Sequence, residues 1–373
     1  MKHSLSHASS TIQGAEARLL PSRLTHGLRL KNMEISGDRG LPVVRLVAGE
    51  AAGYGESPPL PSFTGQGGEE ILLELRECLP LLLGLQSEEA LEWLHSPGFG
   101  SWSAPTRCAV DLALHDLMAR GAGVPLHVLL GGEAAPGVRI TRAIGFHELD
   151  KTVELAEGYR AQGVKALKLK VGREPLLDAE VIKAVRRVVG ADVEISMDAN
   201  ESLDVDSALQ LVEASRDAGI AYFEQPVARD DHAGLRKVRE AGVRVLVDES
   251  MFTVDDARRL AEAKAADLFA IKLIKCGGLA PALEIARFAN EHEFPLIVID
   301  PLGSAVSLNA GLHLAAILPD RGYAHGLSAG LDVDAPHAPH LPLEHGFLNL
   351  PTSAGSGARV TWPIRLDRER RTA

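Results

Sequence analysis

Five short apolar runs between residues 166 and 278 each end in a charged residue, and this regularity constrains the chain more than any other feature. ALKLK closes at Lys170, VEISMD at Asp198, IAYFE at Glu224, RVLVD at Asp248 and LFAIK at Lys272, in steps of 28, 26, 24 and 24 residues. A β-branched run followed by a helical pattern at near-constant period reads as consecutive βα units, hence a parallel sheet with helical crossovers. Such strands are buried on both faces. A charge at the last residue is out of place as packing, whereas parallel α/β barrels and sheets put their sites at the carboxyl ends of their strands. A lone carboxylate there is usually a solvated loop charge or a helix cap, and Asp198 followed by Asn200 could be one. Five charges in register on successive strands are a site.

The units around this stretch fix the expected architecture. From Arg139, RITRAIGF reads as a first strand, the five runs as the second to sixth, FPLIVID as a seventh ending at Asp300, and YAHGLS as a weaker eighth. Helices are predicted between them at 178–189, 206–218, 231–241, 254–265 and 280–292. Seven to eight βα units close as a modified TIM barrel, predicted over residues 136–335. Residues 1–135 lack βα alternation. Short extended runs separated by Gly-rich turns (SGDRG, GEAAGYG) predict an antiparallel meander, followed by helices in GEEILLELRECLPLLLGL and SAPTRCAVDLALHDLMARGAG, so this part reads as a separate α+β unit. Its first dozen residues are polar and are expected to be mobile. Residues 336–373 show no βα pattern and are expected to pack back on the first unit.

With 373 residues, the chain is long enough for a barrel of about 250 residues and a smaller second unit. A formal net charge of −11 argues against nucleic acid or an anionic membrane as partner, since both need clustered Lys and Arg. The opening MKHSLSHASSTIQG has no apolar core of a secretory signal, and no apolar run approaches a membrane span. Three widely spaced cysteines, Cys78, Cys108 and Cys276, suggest neither a disulfide framework nor a zinc cluster and fit a cytoplasmic location.

In a ring of eight, the second and sixth strands face each other, with the third to fifth on the arc between. The expected result is a cation held by Asp198, Glu224 and Asp248 and flanked by Lys170 and Lys272. Three carboxylate oxygens with open positions suit Mg²⁺. A divalent cation supplies charge where an enediolate develops, when a proton leaves the carbon next to a carboxylate. The proton needs a deprotonated base. Lys168 and Lys170 share one side of their strand, and two adjacent amines are expected to lower the proton affinity of one.

KLKVG, MDAN, FEQP, VDES and IKLIKCGG, in this order and spacing, resemble the muconate-lactonizing subgroup of the enolase superfamily. YGESPPLPSFTG and ALHDLMARGAGVPLHVLLGG resemble its capping domain and domain junction. The resemblance implies that Asp198, Glu224 and Asp248 bind Mg²⁺, that Lys170 is one acid/base tuned by Lys168, and that Lys272 is the opposing one. It implies capping loops, here residues 20–27 and 58–67, that close over the mouth, a small-molecule carboxylate substrate, and assembly as a homo-oligomer. Where the mandelate racemase subgroup uses a His on the seventh strand, this chain has Asp300, which is counted as substrate-binding. Asp332 and Asp334 in GLDVDAP resemble the Asp-x-Asp pair with which dipeptide epimerases hold a substrate ammonium, although Asp and Pro also make ordinary turns. His337, His340 and His345 are read as an exposed Pro-flanked loop, His115 and His313 as packing or helix-surface residues, and Cys276 as part of a tight turn. The expected reaction is epimerisation of a dipeptide or N-acyl amino acid by two opposed lysines. A cycloisomerase or an o-succinylbenzoate synthase on the same site is the alternative, and a non-catalytic binding protein is disfavoured because the Lys, Asp, Glu, Asp, Lys set is complete.

Overall fold

The computed structural model describes residues 11–25, 28–29, 34–96, 102–133 and 135–363. The expectation for the chain's first dozen residues therefore falls almost wholly outside the described residues, as do residues 26–27 of the expected capping loop 20–27, whose residues 20–24 are instead the end of the strand Gly14–Leu24.

Seven parallel strands form one curled sheet in sequence order: Arg142–Ile144, Ala166–Lys170, Glu194–Asp198, Phe223–Glu224, Val245–Val247, Leu268–Ile271 and Leu296–Val298. The ring closes through two parallel bridges, Ile140 to His325 and Ile299 to Gly326. The expected eighth strand is thus reduced to the two bridging residues. The strand residues are almost wholly buried, as runs covered by helices on one side and a filled barrel on the other must be. The crossover helices begin where local chemistry starts them. Asp204 caps Val205–Ala214, Asp231 caps His232–Glu240, and Thr253 with Asp256 forms a capping box on Val254–Glu262.

Ahead of the barrel, Gly14–Leu24, Asp38–Ala48 and Ala51–Glu56 make the antiparallel meander. GEAAGYG, read above as a turn, is a turn only at its start; Ala51–Glu56 continues as a strand. Its glycines serve close approach, because a Cβ on Gly53 or Gly55 would lie 2.3 Å from the Ala113 carbonyl oxygen or 2.0 Å from that of Ala109. Those carbonyls belong to the buried helix Ala104–Gly121, which packs directly on the strand. The last part of the chain contributes Phe347–Asn349, paired with Gly137–Arg139. It then runs beside Ala104–Gly121, where the Ser356 N–H donates to Asp116 and Arg120 donates to the Ala358 carbonyl.

Asp111 joins this helix to the barrel. Fully buried, it accepts from the backbone N–H groups of Leu279 (2.6 Å) and Ala280 (3.3 Å), at the start of the helix Leu279–Glu291. His95 and His115 also lie against it, at 2.8 and 3.1 Å. Its charge sits where the helix dipole favours an anion. His115 is therefore a core residue rather than a surface one.

Burial pushes the Asp111 carboxyl up, but His115 and His95 outweigh it and hold it below its ordinary 3.8. Burial lowers His115, but Asp111 outweighs this and holds it above 6.5. The Asp111 contribution to stability is therefore present above 3.8 and lost as the pH falls below it, whereas that of His115 is full below 6.5 and lost as the pH rises through its raised value. Asp111→Asn should cost about 3 kcal/mol in urea unfolding near neutral pH. The gap between variant and wild type should be narrower at about pH 3 than at about pH 6; an equal gap at both would mean that the Asp111 charge is not what stabilises the junction.

Candidate active site

Register puts the charges together. Lys170 pairs with Asp198, and Asp198 with Glu224, as direct neighbours in the sheet. Glu224 pairs with Leu246, so Asp248 lies two residues further on, just past the end of the next strand, Val245–Val247. Lys272 follows the sixth strand, which ends at Ile271. The three acids are 1% exposed or less.

Ionised groups this deep must be paired. Lys168 donates to Glu224 at 2.8 Å and lies 3.4 Å from Asp198. Lys170 donates to Asp198 at 2.5 Å and to the Asn200 side-chain oxygen at 2.6 Å. On the far flank Lys272 donates to Asp248 Oδ2, and Lys275 donates to Asp248 Oδ1 and to its carbonyl, both at 2.5 Å. The two lysines read as acid/bases thus hold opposite ends of the row of acids. Phe63, from the short helix Pro61–Thr64, covers Lys272 with its ring centroid 4.0 Å from Nζ.

These pairings set the electrostatics. Burial pushes Asp198 up, but Lys170 and Lys168 outweigh it and hold the carboxyl low. Asp248 is held low in the same way by Lys272 and Lys275. Glu224 is raised, by burial and by repulsion from Asp198. One of the two neighbouring amines, Lys168 and Lys170, was expected to lose proton affinity, and at Lys168 the opposite holds. Burial, which lowers it, is outweighed by Glu224 and Asp198, and its affinity is raised.

The donor chemistry fits a hard divalent cation: three carboxylates on adjacent strands, with Glu224 Oε1 buried and without a hydrogen-bond partner among the described residues. Among the described residues no three His, Cys, Asp or Glu side chains converge as a metal site in their lysine-held positions.

A cavity of about 590 Å³ opens over this row. Lys168, Lys170, Asp198, Lys272 and Asp300 line it from the barrel, Leu24 and Phe63 from the first unit, and Asp332 from the loop after the bridging residues. Asp300 is 4% exposed, and its Oδ2 accepts from the N–H groups of Leu302 and Gly303. Burial and the nearby Glu56 push this carboxyl up to about 7. Asp334 is not brought to the cavity: it lies exposed in the two-residue strand Val333–Asp334, opposite Arg23 at the edge of the meander. The loop read as exposed is only partly so. His345 is exposed, but His337 is buried 3.7 Å from Glu56.

Sequence reasoning missed Lys275, whose signal is its position three residues after Lys272 in IKLIKCGG. Asn200 was weighed only as part of a possible cap and given no role at the site, yet it takes a positive φ of 43° and turns its side chain to Lys170. Arg142 also lines the cavity and had no local signal.

Residues 151–364 match the Enolase C-terminal domain-like family. The chain belongs to the enolase superfamily, in the subgroup of mandelate racemase and muconate lactonizing enzyme, and is an isomerase of that superfamily. It is 30% identical over 294 residues to the L-amino acid-D/L-Glu epimerase of Sulfurimonas denitrificans, covering 79% of this chain and 82% of that protein. It is 32% identical over 293 residues to the chloromuconate cycloisomerase of Delftia acidovorans, covering 75% and 78%. The dipeptide epimerase from Enterococcus faecalis V583, solved with Mg and the dipeptide L-Leu-L-Tyr, superposes with a TM-score of 0.88 at 27% identity, over 94% of this chain and 99% of that one.

Replacing the 1%-exposed Lys275 by Met should leave Asp248 with Lys272 alone and lower stability by about 3 kcal/mol, read by thermal or denaturant unfolding. A loss under about 0.5 kcal/mol, the range of ordinary surface changes, would mean that the pair does not stabilise the fold.

Proposed function

We propose that this enzyme removes the proton from the carbon next to a carboxylate and returns it on the opposite face, epimerising a dipeptide or an N-acyl amino acid. The observation that carries this reading is the pair Lys170 and Lys272, each close to one end of a buried row of acids in one cavity. One lysine enters as the amine and takes the α-proton; the other enters as ammonium and delivers its proton to the other face of the planar enediolate. Asp198, Glu224 and Asp248 would hold Mg²⁺. When bound, that cation supplies charge against the developing enediolate. Asn200 orients Lys170, and Phe63 shields Lys272 from water. Three buried free cysteines accord with the reducing cytoplasm in which we place the enzyme.

The likeness to chloromuconate cycloisomerase supports a second reading, in which one lysine moves the proton and the other only stabilises charge. Solvent-deuterium exchange separates the two. In an epimerase, Lys170→Ala and Lys272→Ala should each lower racemisation about a thousandfold, while each variant keeps α-exchange with only one enantiomer. The cycloisomerase reading gains if one of the two variants keeps full exchange. Absence of exchange by the Mg²⁺-loaded wild type across dipeptides, N-acyl amino acids and acid sugars would sink the epimerase reading. Chelation should abolish the exchange, and Mg²⁺ should restore it.

A further inference from the structure

Asp332 is the cavity acid that the sequence pattern assigns to a substrate ammonium, but another cation already holds it. Arg142 Nη2 lies 3.0 Å from Asp332 Oδ1 and 3.3 Å from Oδ2. The guanidinium is itself fixed: Nη2 donates to the Tyr159 hydroxyl at 3.0 Å, Nη1 to the Ser328 carbonyl at 3.2 Å, and its carbon stacks 4.7 Å from the Tyr159 ring centroid. Arg142 is 8% exposed, and an arginine cannot give up its charge to admit another cation.

The rest of the loop is pinned as well. The Asp332 carbonyl accepts from the Thr25 N–H at 2.8 Å and from its hydroxyl at 2.9 Å, and the next residues pair with Arg23 and Leu24. That pairing carries Asp334 away from the cavity. The other lining acids offer no substitute, since Asp198 is held by lysines and Asp300 Oδ2 by turn amides. An ammonium approaching Asp332 would meet a fixed guanidinium on the same carboxylate, and the repulsion would cancel most of the attraction.

We propose that Arg142 is a specificity-determining residue which, by occupying Asp332, turns the site toward N-acyl amino acids with an uncharged acyl arm and away from dipeptides with a free N-terminal ammonium. This deepens the proton-transfer reading and rests on it.

Two substrates that differ only in that ammonium decide the matter: L-alanyl-L-leucine and N-propionyl-L-leucine, each followed by α-deuterium exchange in the Mg²⁺-loaded enzyme. The wild type should favour the propionyl compound by at least about tenfold in kcat/KM. Arg142→Met should shrink that preference at least about tenfold, mainly by lowering KM for the dipeptide. Arg142→Lys, which keeps the charge but loses the planar group fixed by Ser328 and Tyr159, should fall between them and serves if the Met variant does not fold. A wild-type preference for the dipeptide, or a preference unchanged in a folded Arg142 variant, would overturn the inference while leaving proton transfer intact. Exchange with neither compound nor any other carboxylate tested would remove the proton-transfer reading and this inference with it.

Discussion

Everything in this structure depends on compensating the charge of acids that the barrel buries. Asp198, Glu224 and Asp248 are 1% exposed or less, and one such anion without a partner would cost several kcal/mol. The compensation comes from Lys168 and Lys170 on one flank and from Lys272 and Lys275 on the other. Because the three acids and the two lysine pairs occupy successive βα units, they meet when those neighbouring strands pair in register. The barrel is thus the device that brings the charges together, and the charges are the reason the register of the strands matters at their carboxyl ends.

The same pairing qualifies the expectation that two adjacent amines would make one of them a base. At Lys168 the acids decide the outcome, and its proton affinity is raised: Glu224 lies 2.8 Å from the Lys168 ammonium. The period-two pattern of the second strand revealed the two amines on one side. It could not reveal that the acids of the next two strands reach across to them, because that depends on side-chain distances and not on sequence spacing.

The repeating βα period was legible because each unit carries its own signals: a buried run, a cap, a stop. Helix starts at Asp204, Asp231 and Thr253 follow from local hydrogen bonding and lay within a few residues of expectation. Features made by distant parts of the chain were not legible. Gly53 and Gly55 looked like turn residues because nothing nearby indicates that a helix begun at Ala104 will press on them. The eighth strand was weak in sequence because only two of its residues bridge the ring. Arg142 and Asp332 are 190 residues apart, so an acid that reads as available for a substrate is seen to be claimed only when the ring closes.

The two lysines proposed to share the proton are chemically unequal. Lys170 is supported by Asp198 and Asn200, both from the neighbouring barrel unit. Lys272 is supported by Asp248 within the barrel but is also covered by Phe63, a residue of the first unit. Just beyond it, the turn of Gly277 and Gly278 leads into the helix whose first amides Asp111 holds, and a Cβ on Gly278 would collide with that carboxylate at 2.2 Å. The first unit therefore reaches one lysine in two ways, through an aromatic ring above and through the junction below, and reaches the other in neither. A shift of that unit against the barrel would alter proton transfer on the Lys272 face while leaving the immediate support of Lys170 in place. In the proposed reaction, the unit that lines the cavity with Phe63 is thereby also the one that supports a single face of it.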